Sequence, residues 1–381
     1  MLKIIFILIT IDYAIFIGLL IYGFDKIKSF EINTVIPKTT FSIIVPFRNE
    51  ETFFLNLLNS FSRLNYPREL FEIIVVDDAS NDNSVTIFNK WRFENGLIET
   101  TLLDNLRLSN SPKKDAISRA VYIVKNTWIV TTDADCEVNE NWLLVMDSYI
   151  QKNTVSMLVG AVNYTINCWN PLAVFQQMDM MSLQGTTIGS FGLHEPFMCN
   201  GANFAYKKSF FNELNGFNGN DNLASGDDVF LLQKAVEKSM NLVHYLKHKQ
   251  AIVTTQPENN LFNLFMQRVR WASKTSSYKS DFAKGLAVLV LLMNFTYVLF
   301  FVILSLGLKF KSFEFLNWNL FFIFWIVKFV IDFILLFKTN QFTGKSKFIL
   351  PVFSSFTYPF FCCLVGFYSF FGSFSWKGRR F

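Results

Sequence analysis

The sequence predicts an α/β domain on a largely parallel, Rossmann-like sheet, carried between apolar segments of membrane-spanning length. Three observations predict it. Short apolar runs of strand type alternate with stretches of helical periodicity between residues 41 and 132, the order that lays parallel strands beneath crossover helices. Two of those runs end in acidic residues, Asp77-Asp78 and Asp133-Ala134-Asp135, and the carboxyl ends of parallel strands are where such sheets place ligands. Charge is concentrated between residues 40 and 284, whereas residues 1–24 and 285–376 carry little.

Taken in order, Ile4–Phe24 is apolar except for Asp12, close to the ~20 residues that cross a bilayer. Lys3 before it also suits a signal peptide. The run is long for one and shows no small-residue cleavage site, so residues 1–25 are expected to be an uncleaved anchor. Phe41–Phe47 reads as a β-rich strand with Pro46 at its end, and Glu50–Ser62 as a helix. Phe71–Val76 is a near-continuous apolar strand of parallel type. Leu97–Leu103 is a third strand, Lys114–Lys125 a helix, and Thr127–Thr132 a further buried strand. Beyond Val155 the pattern loosens. Ser156–Tyr164 reads as a strand, Pro171–Leu183 as a helix, Gly185–Pro196 as a loop and Val229–Val236 as a helix. Gly285–Leu308, Leu316–Phe337 and Phe348–Phe374 are further candidate spans. Pro351 and Pro359 lead us to expect the last to be broken, tilted or re-entrant. The expected domains are the anchor, a soluble domain over residues 40–275 and a C-terminal membrane region over 285–376.

Lys26, Lys28 and Lys38 follow the first span and Lys274, Lys279 and Lys284 precede the second, which puts the soluble domain in the cytoplasm. Three full crossings after it would leave Lys377, Arg379 and Arg380 outside, so one C-terminal segment is expected not to cross completely. The net charge of +5 is modest and no basic stripe alternates with stacking aromatics, which argues against nucleic acid. The juxtamembrane lysines suit anionic lipid instead. Cys136, Cys168, Cys199, Cys362 and Cys363 lack metal-ligand spacing and read as packing residues of a reduced compartment. His194 reads as structural.

Candidate chemistry sits in a few motifs. A carboxylate of Asp77-Asp78-Ala79-Ser80 can accept hydrogen bonds from a nucleobase imide or a ribose hydroxyl, or simply close a turn. Lys113 and Lys114 at a helix start put a cation near phosphate, or form a solvated pair. Asp133 and Asp135, two residues apart beyond a strand, offer the hard oxygens that Mg2+ or Mn2+ prefers when it holds a diphosphate, or an exposed turn. Gly226-Asp227-Asp228 offers a base for an acceptor hydroxyl, or a helix N-cap. Gln267, Arg270 and Trp271 fall on one helical face. That face suits a diphosphate and an acceptor sugar, or an interfacial amphipathic helix.

In this order, and followed at once by apolar spans, these residues resemble membrane-bound family-2 glycosyltransferases. This is the GT-A superfamily of cellulose, chitin and hyaluronan synthases and many lipid glycosyltransferases. The resemblance covers about residues 41–275. It implies a donor site of Pro46, Asn49, Glu50, Asp78, Lys113, Asp133, Gln267, Arg270 and Trp271, with Mg2+ or Mn2+ on Asp133 and Asp135. It implies Asp228 as the catalytic base, with Asp227, where the family often has Glu, in support. Asn200 and Gly201, within Cys199–Asn203, match a segment beneath the acceptor or donor sugar, although a plain turn reads equally well; Trp271 would wall the acceptor. Trp376-Lys377-Gly378-Arg379 resembles the end of some such enzymes.

The implied reaction is inverting transfer of a hexosyl unit from a nucleotide-diphosphate sugar, a UDP-sugar first among them. The acceptor would be lipid-linked or a saccharide, met by a multi-pass cell-membrane enzyme with a cytoplasmic catalytic domain. A processive synthase coupled to export is the alternative; the Gln267–Trp271 motif favours it, but few spans are available unless partner subunits or a dimer supply them. A non-catalytic sugar-nucleotide sensor or scaffold is a rival of another class, against which the intact acidic positions argue. A transporter is a third, opposed by spans that hold few ionisable residues, Asp332 and a few lysines among them.

Overall fold

A computed structural model describes residues 2–32, 36–166, 170–220, 226–308, 313, 316–344, 351–371, 375–377 and 379–380. The chain begins with α1 (Leu2–Lys26), β1 (Phe41–Phe47), α2 (Phe54–Ser62), β2 (Phe71–Asp77), α3 (Ser84–Glu94), β3 (Glu99–Asp104), α4 (Pro112–Ile123) and β4 (Trp128–Thr131). It continues with β5 (Cys136–Glu137), α5 (Trp142–Lys152), β6 (Met157–Gly160), β7 (Val162–Tyr164), α6 (Pro171–Gly192), β8 (Phe204–Lys207) and α7 (Lys208–Glu213). Next come α8 (Asp227–Ser239), β9 (Val243–Leu246), β10 (Val253–Thr255), α9 (Leu261–Ala272), α10 (Asp281–Ser305), α11 (Trp318–Thr343) and α12 (Pro351–Phe371). A short hairpin of β11 (Ser375–Trp376) and β12 (Arg379–Arg380) follows. These elements group into two units, one of Met1–Lys26, Cys168–Glu195 and Glu258–Phe381, the other of Ile27–Asn167 and Pro196–Pro257.

The second of these units carries a seven-stranded sheet in the order β3-β2-β1-β4-β8-β6-β9. From β3 to β4 the strands are parallel, β8 runs antiparallel to both its neighbours, and β9 is parallel to β6. The sequence of β2, Phe-Glu-Ile-Ile-Val-Val-Asp, is buried at every position, as a central strand covered on both faces must be. Glu72 inside that run accepts hydrogen bonds from the Ser42 hydroxyl and, at 2.9 Å, from the Lys125 N–H, which offsets the cost of burying its charge. Helix α2 lays Phe54, Leu57, Leu58 and Phe61 into the core, with the Phe54 ring 4.8 Å from that of Phe47. It starts at Phe54 rather than Glu50; before it, the Glu50 carbonyl accepts the N–H groups of both Phe53 and Phe54 in a turn.

Ser156–Tyr164 is two strands, not one. β6 belongs to the large sheet, while β7 joins β10 and β5 in a separate three-stranded sheet. The break is Ala161, whose carbonyl accepts from the Asn203 side chain at 2.7 Å and from the Val253 N–H at 3.1 Å. Strand register sets the functional edge. Phe47, Asp77 and Asp104 are cross-strand partners at the carboxyl ends of β1, β2 and β3, and Thr131 of β4 pairs with Ile44. The loops that follow these strands therefore open at one edge of the sheet.

In the other unit, four helices among the described residues are long and apolar enough to cross a membrane, over Lys3–Lys26, Asp281–Ser305, Trp318–Thr343 and Val352–Phe370. The last span, expected to be broken, tilted or re-entrant, is not broken in its described part: it is a continuous helix with Pro351 at its start and Pro359 inside it. The stretch Gly185–Pro196, expected to be a loop, instead continues α6 to Gly192. Its glycines are contact surfaces. A Cβ on Gly189 would lie 2.4 Å from the Leu20 carbonyl of α1, and one on Gly185 would lie 2.5 Å from the Thr339 hydroxyl of α11. Small residues allow such backbone approach between helices. Asp332 on α11 accepts from the Tyr13 hydroxyl at 2.6 Å and from Lys328 at 2.5 Å. Cys168, residues 348–350 and 372–374 of the predicted last span, and Gly378 lie outside the described residues.

Candidate active site

At the carboxyl edge of β1 and β2 two loops are welded together. Asn49, with φ of 51°, accepts the Asn81 N–H at 2.8 Å on its side chain, while its own N–H donates to the Ser80 hydroxyl at 3.1 Å. The Glu50 N–H donates to the Ser84 hydroxyl at 2.8 Å. Arg48 donates to the carbonyls of Asp78 and Ala79 at 2.5 and 2.6 Å. Pro46 pairs in register with Val76 inside the sheet. The two adjacent aspartates take different tasks. Asp77 accepts the Ser80 N–H at 3.0 Å and closes the turn, whereas Asp78 faces Asn105 at 2.9 Å and Arg107 at 3.0 Å. Asn105 and Arg107, in the loop after β3, escaped the sequence reading; their signal is two polar side chains directly beyond a strand end.

Deeper along the same edge, carboxylates surround one ammonium. Lys113, in the first turn of α4, lies 2.6 Å from Asp133 and 3.4 Å from Asp227. Burial alone would lower the pKa of this lysine; the attraction of Asp133, then Asp227 and Asp228, overrides it and raises the pKa. Gly226, in left-handed conformation at φ of 89°, precedes α8, so Asp227 and Asp228 occupy its first turn instead of capping it. There the positive end of the helix dipole favours their charge. The Asp228 carboxylate accepts the Gly201 N–H at 2.9 Å and the Val229 N–H at 2.7 Å. Gly201 is pressed into the cluster: a Cβ there would sit 3.0 Å from Asp227 Oδ2 and 3.3 Å from Lys113 Nζ. The Thr131 hydroxyl holds the Gly201 carbonyl at 2.7 Å, and Asn200 caps the following turn through the Ala202 N–H at 3.0 Å.

Lys113, Asp133, Asn200, Gly201, Asp227 and Asp228 are thus brought together from four separate segments. Lys114 turns away, fully buried, and donates to the Asn220 carbonyl. The Tyr206 hydroxyl is buried without a hydrogen-bond partner among the described residues. Burial first, and then Asp227, raise its pKa, while Lys113 lowers it.

Gln267, Arg270 and Trp271 lie on α9 in the other unit, and the helix places them on one face as expected. The residue between them, Arg268, is the one the sequence reading passed over. It is buried and paired with Asp179 of α6, its guanidinium lies 4.2 Å from the centre of the Trp271 ring, and it donates to the Gln267 side-chain amide oxygen, Oε1. Gln267 in turn donates to Glu258 at 2.9 Å. Its signal was weak because an arginine inside an amphipathic helix ordinarily faces water.

Among the described residues no group of three or more His, Cys, Asp or Glu forms an all-protein metal site. Asp133 and Asp135 nevertheless fit a divalent cation that arrives with a diphosphate, since Mg2+ takes one or two carboxylates and completes its shell with phosphate and water. The buried Thr132 hydroxyl beside them has no partner among the described residues. Burial, followed by Asp135 and Asp133, pushes the neighbouring Cys136 thiol well above its ordinary range.

Comparison with known proteins agrees with this geometry. The family described as glycosyl transferase family 2 matches residues 42–214. Poly(ribitol-phosphate) beta-N-acetylglucosaminyltransferase TarS of Staphylococcus aureus is 29% identical over 119 residues, 31% of this chain and 20% of that protein. A poly(ribitol-phosphate) beta-glucosyltransferase of Bacillus spizizenii is 30% identical over 139 residues, 36% of this chain and 21% of that protein. The chain therefore spans about a fifth of the length of these curated relatives. Among solved structures, the mannosyltransferase PcManGT from Pyrobaculum calidifontis, in complex with GDP-Man and Mn2+, shares the fold at 14% identity and a TM-score of 0.57, over 97% of this chain and 99% of that one. Residues 42–214 of this chain form a family-2 glycosyltransferase domain, set in an α/β fold of the GT-A type.

Proposed function

We propose that the chain is an inverting, metal-dependent glycosyltransferase. It transfers a sugar from a nucleotide-diphosphate sugar to a lipid-linked or saccharide acceptor at the cytoplasmic face of a membrane. The observation that carries this reading is the convergence of Asp133, Asp227 and Asp228 on Lys113 at the carboxyl edge of the sheet. A carboxylate for the acceptor and a cation for the departing phosphate stand side by side.

Asp78, with Asn105 and Arg107, receives the base and ribose beside the Asn49–Glu50 loop. Lys113 meets the diphosphate. Asp133 and Asp135 would hold a divalent ion, which would supply Lewis-acid stabilisation of the charge on the leaving group. Asp228 takes the proton from the acceptor hydroxyl as that oxygen forms its bond to the anomeric carbon. The anomeric bond to the diphosphate breaks, its electron pair leaves with the nucleoside diphosphate, and the configuration inverts. Asp227 and Gly201 shape the acceptor side.

Support for the donor class comes from the relatives, which are named as N-acetylglucosaminyl- and glucosyltransferases. Support for the metal comes from the shared fold of the Mn2+-bound mannosyltransferase. Support for the membrane comes from the four apolar helices and the lysines that flank them. The test is release of nucleoside diphosphate from a panel of nucleotide sugars by membranes containing the protein, with Mg2+ or Mn2+ and native lipid extract as acceptor. Turnover of one donor, abolished by chelation and by Asp135→Ala, is the expected result. Nucleotide binding with no release from any donor would leave the sensor reading in its place.

A further inference from the structure

Lys113 stands where the cation chemistry of this site is decided. Its ammonium reaches Asp133 at 2.6 Å and Asp227 at 3.4 Å, and its side chain is only 17% exposed. Asp228 also acts on it, so three carboxylates face a single positive charge. The ammonium is closely confined, since any side chain on Gly201 would meet both Lys113 and Asp227. The Asp133 that would bind a divalent ion is therefore already paired with a monovalent one.

We propose that Lys113 couples divalent-metal binding to nucleotide binding, by holding Asp133 and Asp227 until a diphosphate draws its ammonium away. The inference rests on the glycosyltransferase reading and adds to it an order of events. Without nucleotide, an ion approaching Asp133 is repelled by the ammonium beside it. A diphosphate gives the ammonium another anion, and Asp133 is released. By thermodynamic reciprocity the metal then strengthens nucleotide binding by the same factor. A lysine that serves only as a phosphate ligand would have no effect on the metal when nucleotide is absent.

The experiment titrates Mn2+ into the full-length protein in detergent, reading free Mn2+ by electron paramagnetic resonance, with and without UDP or GDP. Wild-type protein is expected to bind Mn2+ about tenfold or more tightly with the matching nucleoside diphosphate, within the ordinary range of site coupling. Lys113→Met is expected to bind Mn2+ alone about tenfold more tightly than wild type and to lose most of the gain from nucleotide. Lys113→Arg, which keeps the charge, is expected to behave like wild type. Cooperative melting of each variant is checked first, and Lys113→Gln replaces the methionine if that variant does not fold. Nucleotide-free Mn2+ affinity that is unchanged or weaker in the neutral variant overturns the coupling while leaving the transferase reading intact. Wild-type protein that binds neither Mn2+ nor any nucleoside diphosphate overturns both.

Discussion

The carboxylate of Asp228 accepts the backbone N–H of Gly201 at 2.9 Å, and this bond ties the start of α8 to the turn that precedes β8. The proposed base is thus held by main chain at both oxygens, counting the Val229 N–H. Gly201→Ala introduces a Cβ 3.0 Å from Asp227 and 3.3 Å from Lys113, so the cluster must shift to admit it. The expected outcome is a fall in kcat of about tenfold or more, since small misplacements of positioned groups are costly, with the melting temperature little changed. Steady-state kinetics beside a thermal melt check it.

Asn203 is fully buried and engages both amide donors and its oxygen. It accepts from the Trp142 indole at 3.1 Å and donates to the Ala161 and Ala251 carbonyls at 2.7 Å each. Asn203→Leu strands the Trp142 indole N–H and the Ala251 carbonyl, while the Ala161 carbonyl keeps the Val253 N–H, and each buried orphan costs about 1–3 kcal/mol. The expected loss of stability is about 2 kcal/mol or more, read as a lower midpoint in denaturant or heat.

Arg268 and Asp179 form a buried pair whose side chains are each 6% exposed. Breaking such a pair from one side costs about 3–5 kcal/mol, whereas replacing both partners with apolar residues can be neutral. Arg268→Met and Asp179→Leu are each expected to lower the melting temperature of the purified protein, and the double variant to recover most of the loss. A double variant no more stable than the worse single one contradicts the pairing.

Arg107 donates to Asp78 at 3.0 Å from a side chain that is 43% exposed, while that of Asp78 is 10% exposed. Arg107→Ala leaves Asp78 its hydrogen bond from Asn105 at 2.9 Å, so folding should be retained. If Asp78 receives the donor, KM for the nucleotide sugar changes several-fold while kcat moves less. Donor titrations at saturating acceptor provide the check.

His248 accepts the Gln250 N–H at 3.1 Å, and burial holds its pKa below the usual value. As pH falls below about 6.5 the unfolded chain takes up a proton that the folded imidazole resists. The contribution of His248 is present above that pH and is lost as pH drops through its lower folded value. Melting temperatures measured across that range should show a steeper acid-side decline in wild type than in His248→Asn, which keeps an acceptor without the titration.

Much of this fold is legible in the sequence because β1, β2 and β4 are near-continuous apolar runs, almost wholly buried. What escaped has a local physical cause. Helix α3 buries only Ser84, Phe88 and Trp91, too few for a clear period, and the single run over residues 156–164 hides a change of sheet at Ala161. The glycines of α6 suggest a loop until the backbones of α1 and α11 are beside them. At the site, each acidic motif was visible as a strand or helix terminus. Lys113 was legible as a cation at a helix start, but its contact with Asp227 was not, because that contact joins residues 114 positions apart. Arg268 was masked by its more recognisable neighbours Gln267, Arg270 and Trp271.

Asp228 is proposed as the base of the sugar transfer, and comparing wild type with Asp228→Asn in the same membranes tests that role. Nucleoside diphosphate release from the accepted donor is expected to fall by about a hundredfold to ten-thousandfold, the usual contribution of a general base, while donor binding persists. An asparagine variant that turns over within a few-fold of wild type would contradict the account.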